Sequence, residues 1–422
     1  MKYEIAKGIS LTTIPTTKFK NNKLVMNFTF PAQHQNYAKL ALLAELLENC
    51  SAQYNSELLV SRQLSKMYGA SFGVTVLRYG NQHTLQVSIT FPNDKYLPPK
   101  SELTSEILAF LKEMIEDPFI EGDQFNQAYF QIHQGNMVHY LDSIQDNKEF
   151  FSTLELQRLY YPNDPDHGHF LMGSHQEMSQ ISAQELYTFY RWVLNSAKIT
   201  ILAGGDLIDD QLVTGFKEFA SFTDRMPEDY QLRVVPAPIL QVQQGTKVIA
   251  GSQSVLSMAY ELPIYFGDDD YFASIIFNQL FGGSSRSLLF TNVREKNSLA
   301  YDIHSGYNSL VGMVTVQAGI DFKDEDRVIQ MVADQLQQTS DGKYSDELLD
   351  GVKQALINQH RSEADHLGSL IEKQYLQQMM GFSLSDTKWE QQVASVTRSQ
   401  IAQVAKRLTL RAIYQLNSRG DA

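Results

Sequence analysis

Two stretches of this chain repeat one another. From Ser179 it reads SQISAQELYTFYRWVLNSAKITILAGGD, and from Ser395 it reads SVTRSQIAQVAKRLTLRAIYQLNSRGD. Ile181 and Val396, Leu186 and Ile401, and the pairs Gly205-Asp206 and Gly420-Asp421 coincide at one shift of 215 residues. Each copy opens on a Ser/Thr-rich helix entry, continues as an apolar stripe at helical spacing, and ends as an alternating strand closed by Gly-Asp. Such a repeat is far longer than a solenoid unit, which recurs about every 20–50 residues. It implies a duplicated domain.

The front parts of the two copies agree. HTLQVSITF (83–91) and VTVQAGIDF (314–322) are alternating strands ending on Phe91 and Phe322, and each leads into an amphipathic helix and then a longer one. The join falls in RVVPAPILQVQQG (233–245), whose two prolines favour extended backbone. The expected organisation is therefore an N-terminal half over 1–232, a linker over 233–245 and a C-terminal half over 246–422. The fold class is α+β: two homologous domains, each an antiparallel-rich sheet with helices packed on one face.

Length and charge bound the function. A chain of 422 residues exceeds one ordinary core, in keeping with two domains. A net charge of −13 disfavours nucleic acid, since a phosphate backbone rewards a basic face. The single cysteine, Cys50, allows no intrachain disulfide and is compatible with a reducing compartment. No apolar run is long enough to span a bilayer, and the N-terminal segment lacks a signal-peptide pattern. The expectation is a cytoplasmic protein with no membrane span.

Chemistry concentrates in FNQLFGGSSRSLLFTNVREKNSLAYDIHSGY (277–307). The Gly282-Gly283 pair ends a helix but is no phosphate loop, because no Gly-Lys-Ser/Thr follows at the required spacing. Arg294 ends the next helical stretch, and Tyr301 starts an alternating strand seven residues on. At such a junction both can donate to one carbonyl oxygen, a useful arrangement in acyl transfer. On the residues alone a structural pair is the better fit, with Arg294 bound to an acid and Tyr301 packed in a core.

The run from Leu280 to Ile303 resembles the C-terminal-half signature of the pitrilysin/insulinase family of zinc metallopeptidases (peptidase M16). Gly282, Gly283, Ser285, Arg286, Leu289, Phe290, Val293, Arg294, Glu295, Lys296, Leu299, Ala300 and Tyr301 carry the match. An extra residue between Arg286 and Phe290, and Ser298 in place of the usual glycine, depart from it. The resemblance implies the metallohydrolase fold shared with mitochondrial processing peptidase, two halves about a peptide-binding chamber. It also implies that Arg294 and Tyr301 bind the substrate backbone and steady the tetrahedral intermediate.

The family's zinc motif, H-x-x-E-H, places two histidines and a general base on a first-half helix. Aligning the Gly-Thr pair that follows it with Cys50-Ser51 sets Ala41, Ala44 and Glu45 at the first ligand, the base and the second ligand. The third ligand, a glutamate on a later helix, falls in QGNMVHY (134–140), which has no carboxylate; Glu121 and Asp142 bracket it. No two histidines stand four apart. Metal ligands are thus expected to be none in this chain, and Glu45 and Glu48 read as a wet helix face. His133 and His139, and His360 and His366, are six apart and point away from one another. His167 and His169 lack a third ligand, and Cys50 has no visible base to activate it.

The chain is most similar to bacterial members of the family that lack the zinc motif and keep the Arg/Tyr pair. What that implies is a non-catalytic subunit of a heterodimeric peptidase acting on a peptide substrate, with zinc in a homologous partner. A homodimer is the alternative state of the isolated chain. Two other functions stay open: a peptidase with a rewired site using some of Glu45, His139, Asp142 or His169, and a non-enzymatic scaffold.

Overall fold

The computed structural model describes residues 1–99, 101–228, 231–251 and 253–419. It contains two large sheets. The first is built from β1 (Lys2–Ala6), β2 (Ile9–Pro15), β3 (Asn21–Pro31), β4 (Ser71–Tyr79), β5 (Gln82–Pro92) and β6 (Lys198–Gly205). Their order is β1-β2-β6-β3-β5-β4. The second is built from β7 (Gln243–Ala250), β8 (Ser254–Glu261), β9 (Ala300–Asn308), β10 (Met313–Ile320) and β11 (Thr409–Arg419), in the order β9-β10-β8-β11-β7. Without β1 the two sheets have the same topology. In each, one pair is parallel (β2 with β6, β7 with β11) and the others are antiparallel. The duplication read from the sequence is therefore a duplication of sheet topology.

The helices repeat in the same sense. The first copy carries α1 (Tyr37–Asn49), α2 (Glu57–Lys66), α3 (Leu103–Glu116), α4 (Gln127–Ser143), α5 (Lys148–Tyr160), α6 (Ala183–Ser196) and α7 (Asp209–Lys217). The second carries α8 (Tyr271–Phe281), α9 (Glu325–Ser340), α10 (Asp346–Glu363), α11 (Leu367–Met380), α12 (Asp386–Ser395) and α13 (Arg398–Lys406). The repeated helix entries are N-caps. Ser182 accepts from the Glu185 N–H ahead of α6, and Thr397 forms a capping box with Gln400 ahead of α13. Gly205 closes β6 with φ +129°, where a Cβ would strike Asn22, and the next N–H, that of Asp206, donates to Asn22 Oδ1 at 3.0 Å. Its counterpart, Gly420-Asp421, lies outside the described residues.

Both faces of each sheet are covered, as shown by central strands with almost no exposed position: seven of eight residues of β6 and of β8 are buried. In the second unit the main helical layer sits on one face, where Met258, Val316 and Ile413 pack with Ile276 and Phe277 of α8, Val332 of α9 and Val404 of α13. The opposite face is covered by a helix from the other copy. Leu156 and Tyr160 of α5 pack on Val255, Ala259, Tyr414 and Leu416. The first unit is the mirror case, with Leu367, Ile371 and Tyr375 of α11 packed on Val25 and Leu202.

The compact units thus exchange segments. One comprises 1–142, 170–231 and 363–381; the other comprises 143–169, 232–362 and 382–422. The proline-bearing stretch expected to join the copies is irregular from 232 to 242, and β7 begins at Gln243.

Candidate functional site

In the first unit the expected zinc-motif positions lie on α1. Nine of its thirteen residues are buried, so the helix is enclosed on nearly every side. Ala41 and Ala44 are 3% and 5% exposed, their methyls part of the core. Glu45 and Glu48 do not form the wet face expected of them. Glu45 Oε1 lies 2.9 Å from Nδ1 of His133, a buried residue of α4. The ring of Tyr129, one turn earlier on α4, stands 4.2 Å from that imidazole, and Glu57 Oε1 is 3.8 Å from its Nε2. Glu48 accepts the Val74 N–H of the edge strand β4 at 2.9 Å, and burial raises its carboxyl pKa.

These residues do not fit zinc. Two alanines offer no lone pair, and the carboxylate at the third position is committed to a histidine. Among the described residues no three of His, Cys, Asp and Glu form a group able to hold a metal. The link between α1 and α4 is a Glu–His pair 88 residues apart in sequence. Sequence reasoning missed it: His133 stands one residue before the segment searched for the third ligand. The available signal was a carboxylate on an apolar stripe, a residue type that is buried only with a partner.

In the second unit, Gly282 and Gly283 end α8 where the chain abuts β9. A Cβ on Gly282 would come within 2.7 Å of the Ser305 hydroxyl, and the Ser305 N–H donates to the Gly282 carbonyl at 2.9 Å. The next helical stretch, Phe290–Glu295, is wound as a π-helix and closed by Lys296 N–H to Thr291 C=O at 3.0 Å. Arg294 lies on it, exposed, with its guanidinium 4.5 Å from the centre of the Phe290 ring. Among the described residues no carboxylate pairs with it.

A tight turn joins Arg294 to β9. Ser298 N–H donates to Arg294 C=O at 3.0 Å and Leu299 N–H to Val293 C=O at 3.1 Å. Ser298 has φ +51°, which gives a physical reason for glycine in the family pattern. Tyr301 follows at the start of β9, an edge strand. Ala300 pairs with Ile320 but Asp302 pairs with Gly319, so Tyr301 is the extra residue of a β-bulge. Its side chain is 59% exposed, and its hydroxyl donates to Asp321 Oδ1 at 2.9 Å. That bond and the charge of Asp321 raise its pKa. Arg294 is thus not acid-paired among the described residues, and Tyr301 is not packed in a core.

The remaining candidates are local. His167 Nδ1 is 2.6 Å from Asp164, and His169 Nδ1 is 2.9 Å from the Pro165 carbonyl. Asp142 pairs with His175 at 2.8 Å, Glu121 lies exposed in a two-residue strand, and His139 is exposed on α4. His360 stacks on Trp389 at 4.0 Å and meets Asp386 at 2.9 Å. Burial pushes the Cys50 thiol up to about 12, which leaves it protonated and unreactive. No helix among the described residues is long and apolar enough to cross a membrane.

The two copies of one α+β unit thus differ: the first has Ala41, Ala44 and Glu45 where a ligand, a base and a second ligand are expected, and the second has an exposed Arg294 and Tyr301. Residues 180–356 match the family model described as the Peptidase M16 inactive domain. A relative from Bacillus subtilis (strain 168), named "Probable inactive metalloprotease YmfF", is 27% identical over 414 residues, 97% of this chain and 96% of the relative. The crystal structure of a conserved protein from Enterococcus faecalis V583 is 34% identical, with a TM-score of 0.95 over 100% of this chain and 99% of that one. A peptidase M16 inactive domain from Pseudomonas fluorescens, 18% identical, has the same fold, with a TM-score of 0.80 over 99% of this chain and 98% of the other. The chain is thus similar to inactive, peptidase-like members of the M16 family, whose inactive domain it matches over residues 180–356.

Proposed function

We propose that the chain is the non-catalytic subunit of a heterodimeric zinc metallopeptidase of the cytoplasm. It contributes Arg294 and Tyr301 to a peptide substrate, and a homologous partner carries the zinc and the general base. The observation that carries this reading is the state of the pair. An arginine that meets no carboxylate among the described residues and a bulge tyrosine more than half exposed contribute little to the core. A serine held at φ +51° between them adds strain, and their own contacts, Arg294 over Phe290 and Tyr301 on Asp321, are exposed ones.

The complementary observation is on α1. The expected first-ligand and base positions are the buried Ala41 and Ala44, and Glu45 at the expected second-ligand position is tied to His133, so on this reading the metal comes from elsewhere. A guanidinium and a phenol placed on the backbone of a peptide supply binding and orientation, the part of catalysis that needs no metal.

Zinc content tests the division of labour. The purified chain, dialysed and measured by metal mass spectrometry, is expected to hold close to zero zinc per chain. The complex with a zinc-motif-bearing homologue of the same organism is expected to hold one per pair. One zinc per isolated chain overturns the reading and favours a rewired site.

A further inference from the structure

We propose that the Tyr301 hydroxyl meets its ligand as a hydrogen-bond acceptor, its proton being held by Asp321, so that Arg294 and Tyr301 read the C=O and the N–H of an extended peptide. This rests on the reading above that the pair binds a peptide, and it changes the role of Tyr301 within it. Asp321 becomes a positioning residue.

The argument is a count of protons. A phenol has one hydrogen to give, and an ionised carboxylate has none. The 2.9 Å contact between Tyr301 and Asp321 therefore uses the phenol's proton, and what the exposed hydroxyl presents to solvent is lone pairs. To donate to a peptide carbonyl, Tyr301 would have to exchange a charge-assisted bond for a neutral one about half as strong. The acceptor is held in place. Asp321 directly follows β10, its other oxygen is 3.7 Å from Lys323 Nζ, and its carbonyl accepts from the Asp324 N–H at 3.0 Å. Tyr301 is fixed by the bulge at the head of the adjoining strand.

Arg294 is the opposite case. A guanidinium carries five donors and no acceptor, and here no carboxylate among the described residues engages them. One side chain that only donates, joined through a tight turn to one that now only accepts, matches the two polar groups of a peptide backbone. It does not match a carboxylate terminus or an oxyanion, each of which requires donors alone. The ligand class that follows is an extended segment with a free backbone N–H at the Tyr301 position, which excludes proline or an N-alkylated residue there.

Two measurements on the full chain test this. In the free protein, tyrosine labelled at the ring Cζ carbon reports the titration of Tyr301 by NMR. Asp321→Asn and Asp321→Ala are expected to move it down, and an unchanged titration overturns the assignment without reference to any ligand. For binding, the probe is a fluorescein-labelled alternating Val-Lys decamer, extended by its β-branched residues and drawn by the chain's charge of −13. Two further versions are N-methylated at all odd or all even positions, because successive N–H groups of a strand point to opposite sides. Wild type is expected to bind one of these at least tenfold more weakly than the parent, and Tyr301→Phe is expected to lose most of that discrimination.

The failures separate. If the decamer does not bind, or if Arg294→Ala and Tyr301→Phe bind it as wild type does, the peptide-binding reading fails. If both variants weaken binding but Tyr301→Phe keeps the full discrimination, the acceptor assignment alone is wrong.

Discussion

Single residues in this protein are decided by their partners, and His83 is a case in which the ring nitrogens find none among the described residues. It lies on β5, fully buried, edge-on to the rings of Tyr37 at 4.7 Å and Phe30 at 5.7 Å. Neither ring nitrogen meets a hydrogen-bond partner among the described residues. Burial, reinforced by the Arg78 charge, depresses its pKa to about 3. An unfolded histidine titrates near ~6.5, so below that pH the unfolded chain binds a proton that the folded chain refuses. Stability is full above about pH 6.5 and falls by about 1.4 kcal/mol per unit as the pH drops toward 3. The melting temperatures of wild type and His83→Leu should therefore differ by a constant amount above pH 7, and move in favour of the variant by pH 5. A difference that stays constant from pH 7.5 to 5 contradicts the assignment. Partners also explain the misreading of Glu45 and Glu48. Spacing places both on α1, but their acceptors' mates, His133 and the Val74 N–H, come from distant parts of the chain.

At the level of elements, the junction that presents Arg294 and Tyr301 was partly legible. Spacing gave a helical stretch ending near Arg294 and a strand starting near Tyr301, and both are present. The π-winding and the bulge were not legible, because each is a one-residue change in register that leaves hydropathy untouched. The departure at Ser298 was visible as a letter, and its φ of +51° supplies the meaning. Ser298 is exposed and its turn is otherwise hydrogen-bonded, so Ser298→Gly should relieve left-handed strain and raise stability by about 1 kcal/mol. Calorimetric melting checks this, and a lower melting temperature would mean that the serine side chain contributes a contact of its own. Asn297→Gly, one residue earlier, serves as the control for added backbone freedom and is expected to destabilise.

For the molecule as a whole, the duplication was read from order and spacing, and the shared sheet topology bears out the α+β class. The exchange of α5 and α11 was not readable. Periodicity reveals that a helix has an apolar face but not which sheet covers it. Leu156 and Tyr160 complete the second unit, and Leu367, Ile371 and Tyr375 complete the first, so each copy depends on the other for a sheet face. Fragments 1–231 and 232–422 expressed separately are expected to be insoluble or to bind hydrophobic dye, and to recover folded structure when co-expressed. Circular dichroism and gel filtration read the outcome; two fragments that each melt cooperatively alone would contradict it. The central claim is the division of chemistry between two chains, and cleavage of a quenched fluorescent casein digest measures it most directly. The account predicts no cleavage by this chain alone and little by its zinc-bearing homologue alone. Cleavage should rise at least tenfold on mixing, with most of the gain lost when the mixed chain carries Arg294→Ala or Tyr301→Phe. Full activity of the homologue alone, or a gain that both variants leave intact, would contradict it.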